Sequence, residues 1–442
     1  MGRLFGTDGV RGIAGTELTE ELAFGLGRAA VLVLGRRGEG RPTFVVGRDT
    51  RESGEWLEDA VIEGIRAGGG DSILAGIQPT PAVAYLTTAL NASAGVVISA
   101  SHNPAEYNGI KFFSRTGTKL SEDLEDEIEA SLDSPVAEEP GHVRSLGGEA
   151  ERYLEHLVSA AESRLDGMTV VVDCANGSSS GVSPQVLRLL GATVHAIFED
   201  PDGRNINAGC GALHPDVVAA EVLRLGADAG VAHDGDADRA LFADARGNVI
   251  DGDQVLAACA ISMHEQGRLD GDTVVATVMS NLGFHRAMAD AGIRVIAADV
   301  GDRFVVKEMV RTGAALGGEQ SGHVIFREQA MTGDGLLTAV RFLSLAVRKG
   351  VSVEEVASAM RRYPQVMRNV EVRDGGSLAA AGPVWDAVRA AEAELGEAGR
   401  VLVRASGTEP LVRVMVEADN DEIAAHHANA IATIVENVLG PG

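Results

Sequence analysis

The sequence predicts an α/β chain: three similar mixed α/β domains in tandem plus a smaller α+β C-terminal domain, around one central cleft. Three observations predict it. A strand–helix–strand phrase recurs three times, beginning near residues 44, 169 and 273, a spacing that suits separate domains rather than a solenoid of short repeats. Each copy is followed by a further helix, a short strand of small or apolar residues and an unusually polar loop. After Arg361-Arg362-Tyr363-Pro364 the pattern changes to alternating strands and one closing helix. With 442 residues the chain is too long for one core. An apolar fraction of 45% with only 4% aromatics implies cores built from Val, Leu, Ile and Ala.

The opening Phe5-Gly6-Thr7-Asp8-Gly9-Val10-Arg11-Gly12 is a glycine-punctuated polar loop, and 20–34 has helical spacing. The first copy reads as a strand with a polar loop over 44–51, a helix near 54–66 stopped by Gly68-Gly69-Gly70, and a strand at 72–75. A helix near 81–90 and the buried-type run 94–98 then deliver the loop Ser99-Ala100-Ser101-His102-Asn103-Pro104. The second copy has strands 169–174 and 193–198 about a helix 184–190, then a helix 215–225, a strand 229–232 and the loop 233–239. The third has strands 273–278 and 294–298, a helix 302–311, a strand 314–316 and the loop 317–323. The acidic stretch 122–134 reads as a solvated helix face. These readings place domain 1 at 1–152, domain 2 at 153–254, domain 3 at 255–364 and domain 4 at 365–442. Three chemically loaded loops at equivalent places imply one shared cleft, because open α/β sheets bind ligands at the carboxyl ends of their strands.

A net charge of −26 argues against nucleic acid or an anionic membrane as the main partner. It leaves room for a small anionic substrate held by a few local cations. Cys174, Cys210 and Cys259 lie far apart with no CxxC pair, as expected of reduced thiols in a cytoplasmic protein. Residues 1–6 carry no apolar signal core, and no apolar run reaches the roughly 18 residues a membrane span needs.

His233-Asp234-Gly235-Asp236-Ala237-Asp238-Arg239 sets three carboxylates at alternate positions with small spacers. Converging hard oxygen ligands suit Mg²⁺ or Ca²⁺ rather than zinc. An EF-hand is excluded, since its ninth and twelfth positions would be Phe242 and Ala245. Arg239 is placed to orient a phosphoryl oxygen. Glu319 and Ser321, set between glycines, suit the paired hydroxyls of a sugar ring. Arg404, Ser406, Gly407, Thr408 and Arg413 make a phosphate cradle of cations, hydroxyls and backbone N–H groups. Ser101 stands beside His102 without the strand–Gly-x-Ser-x-Gly–helix elbow of a serine hydrolase. A serine, a hard-metal site, a polyol reader and a phosphate clamp together fit phosphoryl transfer, whose catalysis is mainly positioning and charge neutralisation.

These four loops, in this order, resemble those of the α-D-phosphohexomutase family over essentially the whole chain. The resemblance implies that Ser101 carries the phosphoryl group, with Ser99 where Thr is usual. It implies one Mg²⁺ per chain on Asp234, Asp236, Asp238 and a phosphoserine oxygen of Ser101. Glu319 and Ser321 would bind the sugar, and Arg404, Ser406, Gly407, Thr408 and Arg413 the distal phosphate. The opening loop and Gln320 look most like members acting on glucosamine phosphates. The implied reaction interconverts glucosamine 6-phosphate and glucosamine 1-phosphate through a glucosamine 1,6-bisphosphate, feeding amino-sugar nucleotide and cell-wall precursor synthesis. Phosphomannomutase or phosphoglucomutase activity on the same scaffold is the alternative, with a metal-dependent phosphatase behind it. Lys111 matches a family lysine near the nucleophile and would serve as general acid/base if its pKa is lowered; His102 is its rival, and either would otherwise hold the serine phosphate. A cytoplasmic monomer or homodimer is expected.

Overall fold

The computed structural model describes residues 3–6, 8–35, 40–373, 375–406 and 410–440. The first sheet contains β1 (Val10–Ile13), β2 (Thr43–Arg48), β3 (Asp71–Ile77), β4 (Ala94–Ile98), β5 (Tyr107–Ser114) and β6 (Val143–Ser145), in the order β1-β5-β4-β2-β3-β6. The second contains β7 (Thr169–Asp173), β8 (Thr193–Ile197), β9 (Ala229–His233), β10 (Ala240–Asp244) and β11 (Val249–Ile250), in the order β11-β10-β9-β7-β8. The third contains β12 (Thr273–Thr277), β13 (Arg294–Ala298), β14 (Leu316–Gly318) and β15 (Val324–Phe326), in the order β13-β12-β14-β15.

One plan underlies all three. A central strand (β2, β7 or β12) lies parallel to the two strands that follow it. The second of those then turns back into an antiparallel partner: β4 into β5, β9 into β10, β14 into β15. Each polar loop named above is that reversal. The return strands are absent from the sequence reading because β5 and β10 are buried almost throughout. A strand covered on both faces loses the polar–apolar alternation that announces it, and β5 also carries Asn108, Gly109 and Lys111.

The helices follow local signals. Thr19 caps Glu20–Leu34 by accepting from Leu22 N–H, and Asp334 caps Gly335–Lys349 by accepting from Leu337 N–H. Asp251 and Gln254 form a capping box at Gly252–Glu265. The acidic helix Glu122–Ala130 corrects the expectation of a wholly solvated face. Glu125 is buried and pairs with Arg303 at 2.5 Å and Arg3 at 3.1 Å, linking the first and third repeats. Tyr153, on Glu151–Ser159, is also buried, and its hydroxyl donates to both oxygens of Asp334 at 3.0 and 2.9 Å.

The chain divides into two compact units, residues 1–279 with 292–359, and residues 280–291 with 360–442. In the second, β16 (Gln365–Glu371), β17 (Arg400–Ala405) and β18 (Leu411–Glu417) form an antiparallel sheet in the order β16-β18-β17. The helices Gly382–Leu395 and Asp421–Leu439 bury Val384, Ile431 and Val435 in one core with Val412 and Val414 of β18. The helix Leu282–Asp290, third-repeat by sequence, belongs to this unit. Asn281 explains why: its amide donates to Tyr363 O at 2.9 Å and accepts from Tyr363 N–H at 2.9 Å. Cys174, Cys210 and Cys259 are buried free thiols. Among the described residues no helix is long and apolar enough to cross a membrane.

Candidate functional site

β4 is buried along its whole length and is followed by Ser99, whose backbone N–H donates to Gly109 O at 2.9 Å. Ser99 Oγ donates to Asp49 Oδ2 at 2.5 Å and accepts the Ser101 N–H at 2.9 Å. The hydroxyl that departs from the usual Thr therefore shapes the turn. Ser101 has φ +51° and is 2% exposed. Its Oγ donates to Asp234 Oδ2 at 2.6 Å, and His102 Nδ1 lies 3.3 Å from the same Oγ.

Asp234, Asp236 and Asp238 are all buried, and their ligand oxygens lie within 4.8 Å of one another. The loop curls at Ala237 (φ +57°), and Gly335 N–H donates to Ala237 O at 3.0 Å. His233 closes its base. The ring accepts from Ser183 Oγ–H at Nε2 (2.8 Å), which leaves Nδ1–H to donate to Arg239 O (3.0 Å). One oxygen of Asp236 is engaged by Lys111 Nζ at 2.8 Å and Thr80 Oγ1 at 2.7 Å. The other oxygen, Asp236 Oδ1, and Asp238 Oδ1 are buried without hydrogen-bond partners. Two orphaned anionic oxygens beside a third carboxylate are what a hard divalent cation requires, since a buried unpaired charge is otherwise very costly. Burial, and then Asp238 and Asp236, push the Asp234 carboxyl well above the ordinary range.

Arg239 brings a guanidinium to this cluster, with Nε 3.8 Å from Asp238 Oδ1 and no hydrogen-bond partner for that Nε. Lys111 is 1% exposed and pairs with Asp236 and, at 2.9 Å, with Asp8. Burial works against its ammonium, but Asp236 and Asp8 outweigh it, so its pKa is raised. The lowered pKa that a proton-transfer role needs is therefore not what its surroundings produce, because two carboxylates flank one cation. For His102 burial, followed by Arg239 and Arg11, lowers the pKa to about 4, leaving a neutral imidazole at neutral pH.

The third-repeat loop joins the same unit. Ala240 N–H donates to Gly322 O at 3.1 Å, tying it to the base of the aspartate loop, and Gly252 N–H donates to Gln320 O at 2.9 Å, tying it to the start of the helix Gly252–Glu265. Glu319 Oε1 accepts from Gly301 N–H at 3.1 Å, while Ser321 Oγ is buried without a partner. Ser101, His102, Lys111, Arg239, the three aspartates, Glu319 and Ser321 thus lie on loops and strands of one unit. Arg404 and Arg413 lie in the other, as cross-strand neighbours on β17 and β18. Burial and then Arg413 lower the Arg404 pKa. Ser406 N–H donates to Leu411 O at 2.8 Å, and Gly407 and Thr408 lie outside the described residues.

Sequence reasoning missed the charged network behind these loops. Asp8 pairs with Arg11, Lys111 and Lys119, and Lys119 reaches Asp302 at 2.5 Å. His323 lies 3.6 Å from both Asp238 and Asp302. Asp8 and His323 sat in the glycine-rich stretches already noted, but nothing in their spacing says that they meet.

Four domains of the phosphoglucomutase/phosphomannomutase family match the chain in turn: α/β/α domain I over residues 2–138, domain II over 151–247, domain III over 251–363 and the C-terminal domain over 367–434. The chain belongs to this family of phosphohexomutases. A protein named phosphoglucosamine mutase from Rhodococcus jostii (strain RHA1) is 52% identical over 445 residues, covering 99% of this chain and 100% of its own. The phosphoglucosamine mutase of Thermobifida fusca (strain YX) is also 52% identical, with 99% of each chain covered. Among solved structures, a phosphoglucomutase/phosphomannomutase family protein from Burkholderia thailandensis superposes with a TM-score of 0.84 at 25% identity, covering 100% of this chain and 98% of that one.

Proposed function

We propose that this chain is a cytoplasmic isomerase that interconverts glucosamine 6-phosphate and glucosamine 1-phosphate, with Ser101 carrying the transferred phosphoryl group. The observation that carries this reading is the Ser101 hydroxyl, buried and 2.6 Å from an oxygen of a three-aspartate cluster. The relatives named phosphoglucosamine mutase, at 52% identity along the full chain, support the amino-sugar substrate.

In the first half-reaction the P–Oγ bond of phospho-Ser101 breaks as a bond forms from phosphorus to the free sugar hydroxyl. The hydroxyl proton is given up and Oγ regains one, yielding glucosamine 1,6-bisphosphate and free Ser101. In the second half the bond from the other phosphorus to its sugar oxygen breaks as one forms to Ser101 Oγ, the serine gives up its proton and the freed sugar oxygen gains one, leaving phospho-Ser101 and the isomerised monophosphate. Asp234 Oδ2 accepts a hydrogen bond from the free serine hydroxyl and holds it in place between the two halves. One Mg²⁺ per chain, held by Asp234, Asp236, Asp238 and an oxygen of phospho-Ser101, would supply charge neutralisation for the transferring group. Arg239 brings its unpartnered Nε–H to the phosphoryl oxygens. Glu319 and Ser321 take sugar hydroxyls, and Arg404, Ser406, Gly407, Thr408 and Arg413 hold the other phosphate. Lys111 keeps the aspartate loop together as a fixed cation.

Turnover of glucosamine, glucose and mannose phosphates by the purified enzyme tests the substrate; equal or better rates on mannose 1-phosphate refute the amino-sugar assignment. Mass mapping of the phosphoryl group tests the carrier. It is expected on Ser101, and Ser101→Ala should abolish turnover while sugar-phosphate binding persists.

A further inference from the structure

Ser101 occupies the left-handed region at φ +51°, a conformation that serine seldom holds unaided. What holds it lies on its carbonyl side. Arg51 is fully buried and its guanidinium is committed in two directions. One nitrogen pairs with Asp49, while Nη2 donates to Ser101 O at 3.2 Å and to Asn103 O. Asn207 approaches the same two carbonyls from the second repeat, with Nδ2 donating to Ser101 O at 2.9 Å and Asn103 O at 3.1 Å. Two side chains from two repeats thus grip both carbonyls of one turn. The aspartate loop closes over this grip, since a Cβ on Gly235 would lie 2.7 Å from Ser101 O and 2.9 Å from Asn207 Nδ2.

We infer that Arg51 and Asn207 form a two-repeat clamp that positions the Ser101 turn for phosphoryl transfer. Neither touches the transferring atoms; both are positioning residues. Ser99 and Asp49 fix the N–H side of Ser101 from within the first repeat, and Arg51 with Asn207 fixes the carbonyl side across the boundary. The Oγ therefore meets Asp234 in register only when the two repeats are docked. The inference rests on the reading of Ser101 as the phosphoryl carrier.

The test variant is Asn207→Ala, because Asn207 is half-buried and its loss leaves the Arg51–Asp49 pair intact. Misplacing a reacting atom by a fraction of an ångström to 1 Å costs up to about 10²-fold in rate. The expected result is a kcat lower by roughly 10- to 100-fold with KM for the sugar phosphate within about threefold of the parent. Mg²⁺ affinity should stay near the parent value, and unfolding temperature should fall only by the few degrees that alanine costs at the left-handed φ +59° of this position. Asn207→Asp, which keeps the shape and the tolerance for φ +59° but sets a carboxylate oxygen against the two carbonyls, should lower kcat at least as far, and Arg51→Lys, which keeps a cationic donor, should retain more turnover than Arg51→Met. A folded Asn207→Ala with parental kcat overturns the clamp, and so does failure of both Asn207 variants to fold, which would make the residue a stability element. Ser101→Ala separates the two readings. If it retains turnover, the phosphoserine reading fails; if it is inactive while Asn207→Ala is unaffected, only the clamp fails.

Discussion

Lys111→Met removes a buried cation and leaves its side-chain volume nearly filled. Lys111 Nζ stands 2.8 Å from Asp236 and 2.9 Å from Asp8, and Lys111 and Asp236 are 1% and 0% exposed. Deleting one partner of a buried ion pair costs about 3–5 kcal/mol, because the survivor becomes an uncompensated buried charge. Asp8 retains Arg11 and Lys119, so most of that cost falls on Asp236. Mg²⁺ would return a positive charge to the same carboxylate. The expected outcome is a loss of about 3–5 kcal/mol in chelator, partly recovered in Mg²⁺. Urea unfolding of the first unit, with and without the metal, reads both values. The raised pKa fixes the sign with pH: the pair's stabilisation is complete below the unfolded lysine value near 10.5 and is lost only as pH rises through the higher folded value. A Lys111→Met variant within about 1 kcal/mol of the parent in chelator would refute the reasoning. An alkaline limb near neutral pH that vanished with Lys111→Arg would instead reinstate Lys111 as the proton-transfer group.

Three other outcomes follow from the same geometry. Burial raises the Asp334 carboxyl to about 6, so the folded state binds the extra proton and this group's contribution to stability declines as pH rises from about 4 to about 6; a carbon-detected NMR titration with a midpoint at or below 4 would contradict it. Gly235→Ala places a Cβ 2.7 Å from Ser101 O and 2.8 Å from Ile206 Cδ1, which should cost about 1–3 kcal/mol in thermal unfolding and lower turnover, since the strain falls on the Ser101 turn; full activity in this variant would show that the turn tolerates displacement. Asp236→Asn should weaken Mg²⁺ binding by about tenfold or more in calorimetry, as a ligand ought to exceed the effect of an outer-shell partner, and unchanged affinity would remove Asp236 from the metal site.

Much of the architecture was legible because local rules and repetition speak directly. The strand–helix–strand phrase appears three times, and the helical spacing over 20–34 is met by the helix Glu20–Leu34; the helices capped by Asp251 and Asp334 emerged only from the structure. The loop chemistry was legible for a different reason. Three aspartates at alternate positions bring their ligands together by chain geometry alone, so they require no knowledge of the fold. The return strands β5, β10 and β15 were not legible, since burial on both faces erases the alternation that marks a strand. Nor was the burial of Glu125, whose partners Arg3 and Arg303 are 122 and 178 residues away.

By itself, then, the sequence determined which groups are available: a serine at a strand end, three carboxylates, a glycine-flanked glutamate and serine, and paired arginines. Each depends on neighbours within a few residues, where covalent connection sets the spacing. Only the tertiary structure decided how those groups meet and in what state. It brought Ser101 to Asp234 across 133 residues, raised the Lys111 pKa by placing Asp8 and Asp236 on either side of it, and set Arg51 and Asn207 on the same two carbonyls. Such relations depend on burial and on distance through space, and neither is written in the order of residues along a chain.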